Sequence, residues 1–527
     1  MISECYIDYA WSSNDHHSAN TSDKYLNGVL FIETEAQPNS ETYIYFNIDT
    51  SASMDDICHD GFTKLHYLKT TLKSILKYLV NHNINAKVCF ASFNDDVTYL
   101  TDGFESCDSS TLDSLIARIF KLKTVGCTNL ESTFVETKRI ISTYKDPQGA
   151  MLAPAPVQIV HILLTDGEVT KGDNKKESLS EKLSVPNVMN YFVGFGTTHD
   201  SYLLSELSKM VDMGEYKCID KYNSCSAVYA EIIHHVTHPF IQHLCIEDSS
   251  TKDPIEIYDW KTNTWVSTLL VPFIPSEAKR IFHVRTLNTH GATFTSCKLS
   301  YTGNLASNGE EVIERDGQNV IYAETIPFLI DQETGHVVEN DLSEYVFRLK
   351  ALQLMWRITE LQKNDSHLRR NIQIQNGYNQ FVPIDDVDDD ESQSCDALGD
   401  TLGPNLCLRV PVNLHVSTEN ERNDEVKDIK KSIKQLVGEM NIYLTNLYLE
   451  TPTDKQKINM IKLLKSDLKV SWNGISSVNG YMYSSSRQHS QATQSAFTID
   501  DDETTIVESP YMTQTLHSTI TEITTSK

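Results

Sequence analysis

YIYFNIDTSASMDD, residues 43–56, sets a run of strand formers against the carboxylate of Asp49 and then against two hydroxyls at alternating positions, Ser51 and Ser53. Asp and Ser are also preferred where a helix begins, so the turn by itself fits either a capped helix start or an oxygen-lined cation site. The flanking sequence decides the fold. FTKLHYLKTTLKSILKYLVNH (62–82) carries Leu65, Leu68, Leu72, Ile75, Leu76 and Leu79 at helical spacing. Strand-like NAKVCFASF (85–93) and an edge strand VTYLT (97–101) come next, then helical patterns in STLDSLIARIFKL (110–122) and over 128–144. VQIVHILL (157–164) is an almost wholly apolar strand. NVMNYFVGF (187–195) and EYKCID (215–220) read as two more strands around the helix SYLLSELSKMV (201–211), and a last helix over 224–238 stops before Pro239. Strands alternating with helices predict an α/β fold over 43–238, a doubly wound, mostly parallel sheet covered on both faces. In such sheets the ligand crevice lies beyond the carboxyl ends of the strands, where strand order reverses.

That rule places the chemistry. Asp49 ends the first core strand, and Asp166, in HILLTDGE, ends the central one. If the order reverses after the third strand, these two strands are neighbours and the aspartates face each other, a repulsion that a cation or proton must relieve. Ser51 and Ser53 can point to the same side as Asp49, and Thr128, in GCTN ahead of a helix, brings a hydroxyl from a third loop. Hydroxyl and carboxylate oxygens without thiolate or imidazole suit Mg²⁺, Mn²⁺ or Ca²⁺ rather than zinc. Mg²⁺ tends to keep water, which leaves an exchangeable position that an incoming carboxylate can take.

Residues 43 to about 235 resemble a von Willebrand factor type A (VWA) domain, and Asp49-x-Ser51-x-Ser53, Thr128 and Asp166 match its metal-ion-dependent adhesion site. The resemblance implies that the two serines and the threonine coordinate the ion, that the aspartates act directly or through water, and that a partner's Glu or Asp completes the shell. Ala52 stands where the family usually has glycine between the serines. GFGTTHDSYLLSELSKMVDMGEYKCID resembles the family's fifth strand, fifth helix and sixth strand in order. A second resemblance, to intracellular proteins that join this domain to a β-sandwich, including plant RING-finger and Hint-bearing proteins, rests on three segments. These are the strand and spacer in YLNGVLFIETEAQPNSETYIYFNIDTSASM, the sandwich-like WVSTLLVPFIPSEAKRIFHVRTL and the helical NGYMYSSSRQHSQATQSAF. A RING cysteine array, a ubiquitin-conjugating segment and a Hint-type nucleophile are not found in the sequence.

Outside 43–238 the texture changes. Residues 1–42 supply an N-terminal strand segment expected to pack on the sandwich. Short strand-like pieces broken by turn residues predict an all-β sandwich over 239–343. EYVFRLKALQLMWRITELQK (344–363), VKDIKKSIKQLVGEMNIYLTNLYLE and DKQKINMIKLLKSDLK predict a helical region over 344–498, interrupted by an acidic, solvated loop at 385–400. The Ser/Thr-rich tail, 499–527, reads as disordered.

Bulk properties narrow the function. A formal charge of −27 over 527 residues argues against nucleic acid or anionic membranes as partners. The start MISECYIDYAWSSNDHH has no signal-peptide pattern and no window is apolar enough to span a bilayer, so the expectation is a soluble, intracellular, cytoplasmic protein, or one of the virion or host cytoplasm if the source is viral. Eleven scattered cysteines read as reduced thiols. HHVTHPFIQHLC (234–245) has i, i+4 histidines but no following Glu, and reads as a polar helix end rather than a zinc site. Cys58 and Cys127 lack a histidine at catalytic spacing, and Ser51 lacks a nucleophile elbow. The reading is a non-enzymatic interaction or scaffold protein that captures an acidic side chain of a protein partner at the metal. The alternatives are a substrate-recognition subunit of a ubiquitin-ligase-type complex and a metal-using hydrolase.

Overall fold

The computed structural model describes residues 2–9, 25–36, 41–58, 60–145, 158–219, 225–238, 241–250, 254–287, 295–302, 319–325, 329–330, 337–338, 341–376, 419–477, 479–496 and 509–525. The acidic stretch 385–400 lies outside the described residues. Two strands open the chain, β1 (Ile2–Tyr9) and β2 (Tyr25–Thr34). The α/β unit follows: β3 (Thr42–Asp49), α1 (Lys64–Asn81), β4 (Ala86–Phe93), β5 (Val97–Tyr99), β6 (Glu105–Ser106), α2 (Leu112–Phe120), α3 (Leu130–Lys145), β7 (Gln158–Thr165), α4 (Lys176–Leu183), β8 (Val188–Phe195), α5 (Ser201–Met210), β9 (Gly214–Ile219) and α6 (Cys225–Thr237). Then come β10 (Ile241–Asp248), β11 (Ile255–Asp259), β12 (Thr264–Val266), β13 (Thr268–Ile274), β14 (Lys279–Leu287), β15 (Ser296–Thr302), β16 (Asn319–Thr325) and the short pair β17 (Leu329–Ile330) and β18 (Val337–Val338). Among the described residues five helices follow: α7 (Ser343–Asn376), α8 (Glu419–Glu450), α9 (Lys455–Gly474), α10 (Gly480–Ala492) and α11 (Gln514–Thr525).

The α/β sheet has the order β5-β4-β3-β7-β8-β9, with β6 also on β4. β4, β3, β7, β8 and β9 run parallel, and only β5 and β6 are antiparallel. Strand order reverses between β3 and β7, which pair in register from Thr42↔Gln158 to Ile48↔Leu164. Nearly every residue of β3, β7 and β8 is buried, because helices cover both faces. Helix α1 is capped by Thr63, whose hydroxyl accepts the His66 N–H, and turns its Leu65–Leu68–Leu72–Ile75–Leu76–Leu79 stripe into the core.

Among the described residues the all-β region forms a nine-stranded sheet, in the order β12-β11-β14-β2-β1-β16-β15-β10-β13, with β17 and β18 paired apart from it, and the large sheet encloses an apolar core that draws on strands from both ends of that order. The N-terminal segment is built into it: β2 lies between β14 and β1, and β1 pairs parallel with β16. The α/β unit is therefore an insertion between β2 and β10 of the β unit.

The disordered tail is corrected at Gln514–Thr525, which forms α11 with Leu516, Ile520 and Ile523 buried beside α1 and α6. Tyr78 of α1 and Thr519 of α11 share a 3.0 Å hydroxyl contact. The Thr content hid this apolar stripe, since Thr519 and Thr524 donate their hydroxyls back to the carbonyls of Thr515 and Ile520, four residues earlier. The histidines of α6 are corrected too: His234 and His235 are buried rather than a polar end. Among the described residues no group of three or more His, Cys, Asp or Glu is arranged to hold a metal, no disulfide occurs, and no helix is long and apolar enough to cross a membrane.

Candidate metal centre

The crevice at the β3/β7 reversal receives side chains from three loops. Asp49, the last residue of β3, is wholly buried. Its Oδ1 accepts the Ser51 N–H at 2.8 Å and its Oδ2 accepts the Thr165 hydroxyl at 2.6 Å. Burial first, and the facing Asp166 second, push its carboxyl up to about 7 against those two hydrogen bonds. Ser51 Oγ and Ser53 Oγ stand 3.1 Å apart, and Ser53 Oγ donates to Asp166 Oδ1 at 2.7 Å. The third loop arrives over Gly167, where a Cβ would lie 3.4 Å from Ser53 Oγ and 3.5 Å from Thr128 Oγ1. The structure thus brings Asp49, Ser51, Ser53, Thr128 and Asp166 to one place.

The loops are tied by backbone. Ala52 N–H donates to the Gly126 carbonyl, Val125 N–H to Thr50, and Thr170 N–H and Lys171 N–H to the Thr128 carbonyl. Thr170 Oγ1 accepts the Thr128 N–H at 2.8 Å, and Thr198 Oγ1 donates to the Asp166 carbonyl at 2.9 Å. A backbone frame thus supports the side-chain contacts that the site residues make with one another.

The donor set fits a small hard cation. Two oxygens at right angles on an ion with bonds near 2.05 Å lie about 2.9 Å apart, whereas Ca²⁺ bonds would spread them to roughly 3.3 Å or more. The observed 3.1 Å between the serine oxygens lies midway between these two figures, so the spacing accommodates a hard cation of either size. Asp49, buried with a second aspartate opposite, is the group whose repulsion such an ion relieves.

The family model described as von Willebrand factor type A domain matches residues 44–228. This segment is a VWA domain. Among solved structures, a von Willebrand factor type A protein from Catenulispora acidiphila is 12% identical, with 68% of this chain and 81% of that chain covered and a TM-score of 0.46. The ArnB paralog VWA2 from Sulfolobus acidocaldarius is 12% identical over 89% of this chain and 94% of its own, with a TM-score of 0.42. Proximal thread matrix protein 1 from the mussel byssus, with a zinc-occupied MIDAS motif, is 18% identical over 39% of this chain and 47% of its own, with a TM-score of 0.28. No curated protein matches the sequence.

Two features of the VWA site were not read from the sequence. Lys64, the first residue of α1, is buried and places Nζ 2.6 Å from Asp166 Oδ2 and 2.9 Å from Asp56 Oδ2. Burial opposes its charge, but Asp166 and Asp56 outweigh that and hold its pKa above the ordinary lysine value. A lysine in a helix's first turn is electrostatically misplaced, and that oddity in TKLHYL was the available signal. The second feature is a polar ladder below the site. Asn47 Nδ2 lies 2.6 Å from Thr137 Oγ1 and 3.0 Å from His161 Nε2, and His161 Nδ1 lies 3.0 Å from Asn190 Oδ1. Asn47 donating to Nε2 leaves the proton on Nδ1, and burial lowers the His161 pKa to about 4, so the ring is neutral. An apolar rim faces solvent beside the site: Ile57 is 74% exposed, Phe62 50% and Val125 62%.

Proposed function

We propose that the VWA domain binds a protein partner by holding a divalent cation, Mg²⁺ in the first instance, on Ser51, Ser53 and Thr128 with Asp49 and Asp166 acting directly or through water, and by presenting it to a Glu or Asp of that partner. The observation that carries this is the approach of serine hydroxyls from one loop to the carboxylate of another at the strand-order reversal, with Ser53 Oγ 2.7 Å from Asp166 and 3.1 Å from Ser51 Oγ. The ion would supply a fixed positive charge for the incoming carboxylate. The hydrogen bond from Ser53 to Asp166 already uses the serine proton, which leaves its lone pairs for the ion.

The rim supports capture of a protein rather than of a free anion. Ile57, Phe62 and Val125 leave apolar surface around a polar well, the pattern of an anchor site surrounded by desolvating contacts. Phe62 is held in place by stacking on His66 at 4.5 Å. The surrounding acidic surface does not attract a carboxylate, so selectivity rests on local geometry at the ion. A pull-down with and without EDTA, with partners identified by mass spectrometry, tests the reading. Partners that stay bound in EDTA would count against it.

A further inference from the structure

A cavity of about 90 Å³ lies where the VWA domain, the β unit and the C-terminal helices meet. Its walls come from the end of α5, the start of β9, the end of β11 and the turn after it, β13, β14, α7 and the end of α10, so all three units contribute. In a chain of net charge −27, this interior is cationic: Lys209, Lys261, Arg280 and Arg348 line it, against Glu215 and Asp259.

The local carboxylates make their close contacts with other groups. Asp259 Oδ1 accepts the backbone N–H of Lys261 at 3.0 Å and its Oδ2 accepts the Thr262 hydroxyl at 2.8 Å. Glu215 lies 3.6 Å from Lys217. Beneath the cavity, Glu231 takes Lys217 at 3.1 Å, the Ser495 hydroxyl and the Ala496 N–H at 2.7 Å. Lys209 is engaged by Glu206 at 3.1 Å. Arg280 is 7% exposed and, among the described residues, its side chain makes no hydrogen bond and no close ion pair, with Glu231 and Glu215 acting on it only from farther away. Arg348, at 2% exposure, donates to the Gln491 carbonyl at 2.6 Å and contacts His283 Nε2 at 3.0 Å, while its Nε has no partner. Lys261 has no carboxylate within ion-pair distance among the described residues, and burial lowers its pKa.

A buried guanidinium whose N–H groups have no acceptor, with its carboxylates only at longer range, is costly, so one that faces a cavity suits an anionic ligand there. Planar guanidinium forks match phosphate oxygens two at a time. Trp260, packed edge-on against His489 at 4.7 Å, gives the same cavity an aromatic wall. We propose that this junction is a binding site for a small phosphate-bearing anion, with Arg280, Arg348 and Lys261 as its donors. Because its walls come from three units, the bound anion would also clamp the VWA domain to the rest of the chain. The site is separate from the metal centre and does not depend on it.

The test uses the full-length protein in EDTA, with calorimetry and thermal melts against inorganic phosphate and phenyl phosphate, and chloride at matched ionic strength as the baseline. Saturable binding of either probe is expected, with a rise in melting temperature. Tighter binding of phenyl phosphate assigns the site to an organic monoester, and equal or weaker binding assigns it to phosphate itself. Arg280→Gln and Lys261→Gln should each weaken binding at least tenfold. If Arg280→Gln does not fold, Lys261→Gln decides, since its side chain is only partly buried. No saturable binding of either probe by the wild type, or undiminished binding by Lys261→Gln, overturns the proposal.

Discussion

Lys64 Nζ and Asp166 Oδ2 are 2.6 Å apart in a pair with side chains 4% and 0% exposed, so an internal ammonium already neutralises one of the two aspartates at the metal centre. The second aspartate, Asp49, has no such partner, and its carboxyl is the one pushed up to about 7. Lys64→Met removes the ammonium and leaves both carboxylates buried. The metal-free protein should lose about 3–5 kcal/mol of stability, the usual cost of breaking a buried pair. Added Mg²⁺ should then stabilise this variant more than it stabilises the wild type, because the dication no longer competes with a fixed charge. Thermal melts with and without Mg²⁺ measure both effects, and a variant less responsive to Mg²⁺ than wild type would contradict the assignment.

Ion binding itself is checked by deleting hydroxyls. Ser51→Ala, Ser53→Ala and Thr128→Ala each remove a first-hand oxygen while leaving the carboxylates, and each should weaken Mg²⁺ binding at least tenfold in calorimetric titration. Asp49→Ala should abolish the heat, at a stability cost of about 1–3 kcal/mol for the orphaned Ser51 N–H and Thr165 hydroxyl. Heats equal to wild type in all four variants would sink the metal reading.

The apolar rim gives a separable outcome. Ile57→Ser and Phe62→Ala lie on the surface and should change stability by no more than about 0.5 kcal/mol. Mg²⁺ affinity should stay at the wild-type value while EDTA-sensitive partner capture falls. Unaltered capture by both variants would place the partner's footprint elsewhere.

Acid should act through His161. Its folded pKa, about 4, lies below the ordinary 6.5, so the unfolded chain binds a proton that the fold refuses. Stability from this group is full above about pH 6.5 and is lost as pH falls from there toward 4, at ~1.4 kcal/mol per unit and about 3 kcal/mol in all. His161→Gln should therefore flatten the decline of stability over that window by the same slope, whatever its effect at pH 7. Denaturant titrations at several pH values measure it, and parallel curves for variant and wild type would refute it.

The docking of the tail is tested at Ile520, which is 1% exposed. Ile520→Ala should cost about 2–5 kcal/mol, as for other buried aliphatic truncations. A dispensable tail would tolerate it, with a melting temperature shift below about one degree.

The α/β core was legible because its signals are local. β3 and β7 are apolar throughout, α1 repeats leucine and isoleucine at helical spacing, and the residues at strand ends follow directly from where the runs stop. Asp49, Ser51, Ser53, Thr128 and Asp166 could be named in advance because a parallel sheet that reverses its order leaves only one crevice for them. Lys64 was missed since a lysine misplaced at a helix start signals a missing counter-charge without naming the carboxylate, which lies 102 residues away. The α11 helix was missed because three apolar residues in a Thr-rich segment bury only when α1 and α6 supply the facing surface.

Sequence by itself determined the alternating α/β unit, its VWA resemblance and the oxygen donors of the crevice, because periodicity and strand ends are written residue by residue. Tertiary structure alone decided that β1 and β2 join strands more than 240 residues away, as Thr34 does with Ala278, and that the VWA domain is an insertion in the sheet they complete. It also decided that Arg280 and Arg348 line one cavity. Strand pairing and the meeting of three units are settled by which surfaces can be buried together, and a single strand or an isolated arginine carries no mark of its distant neighbour.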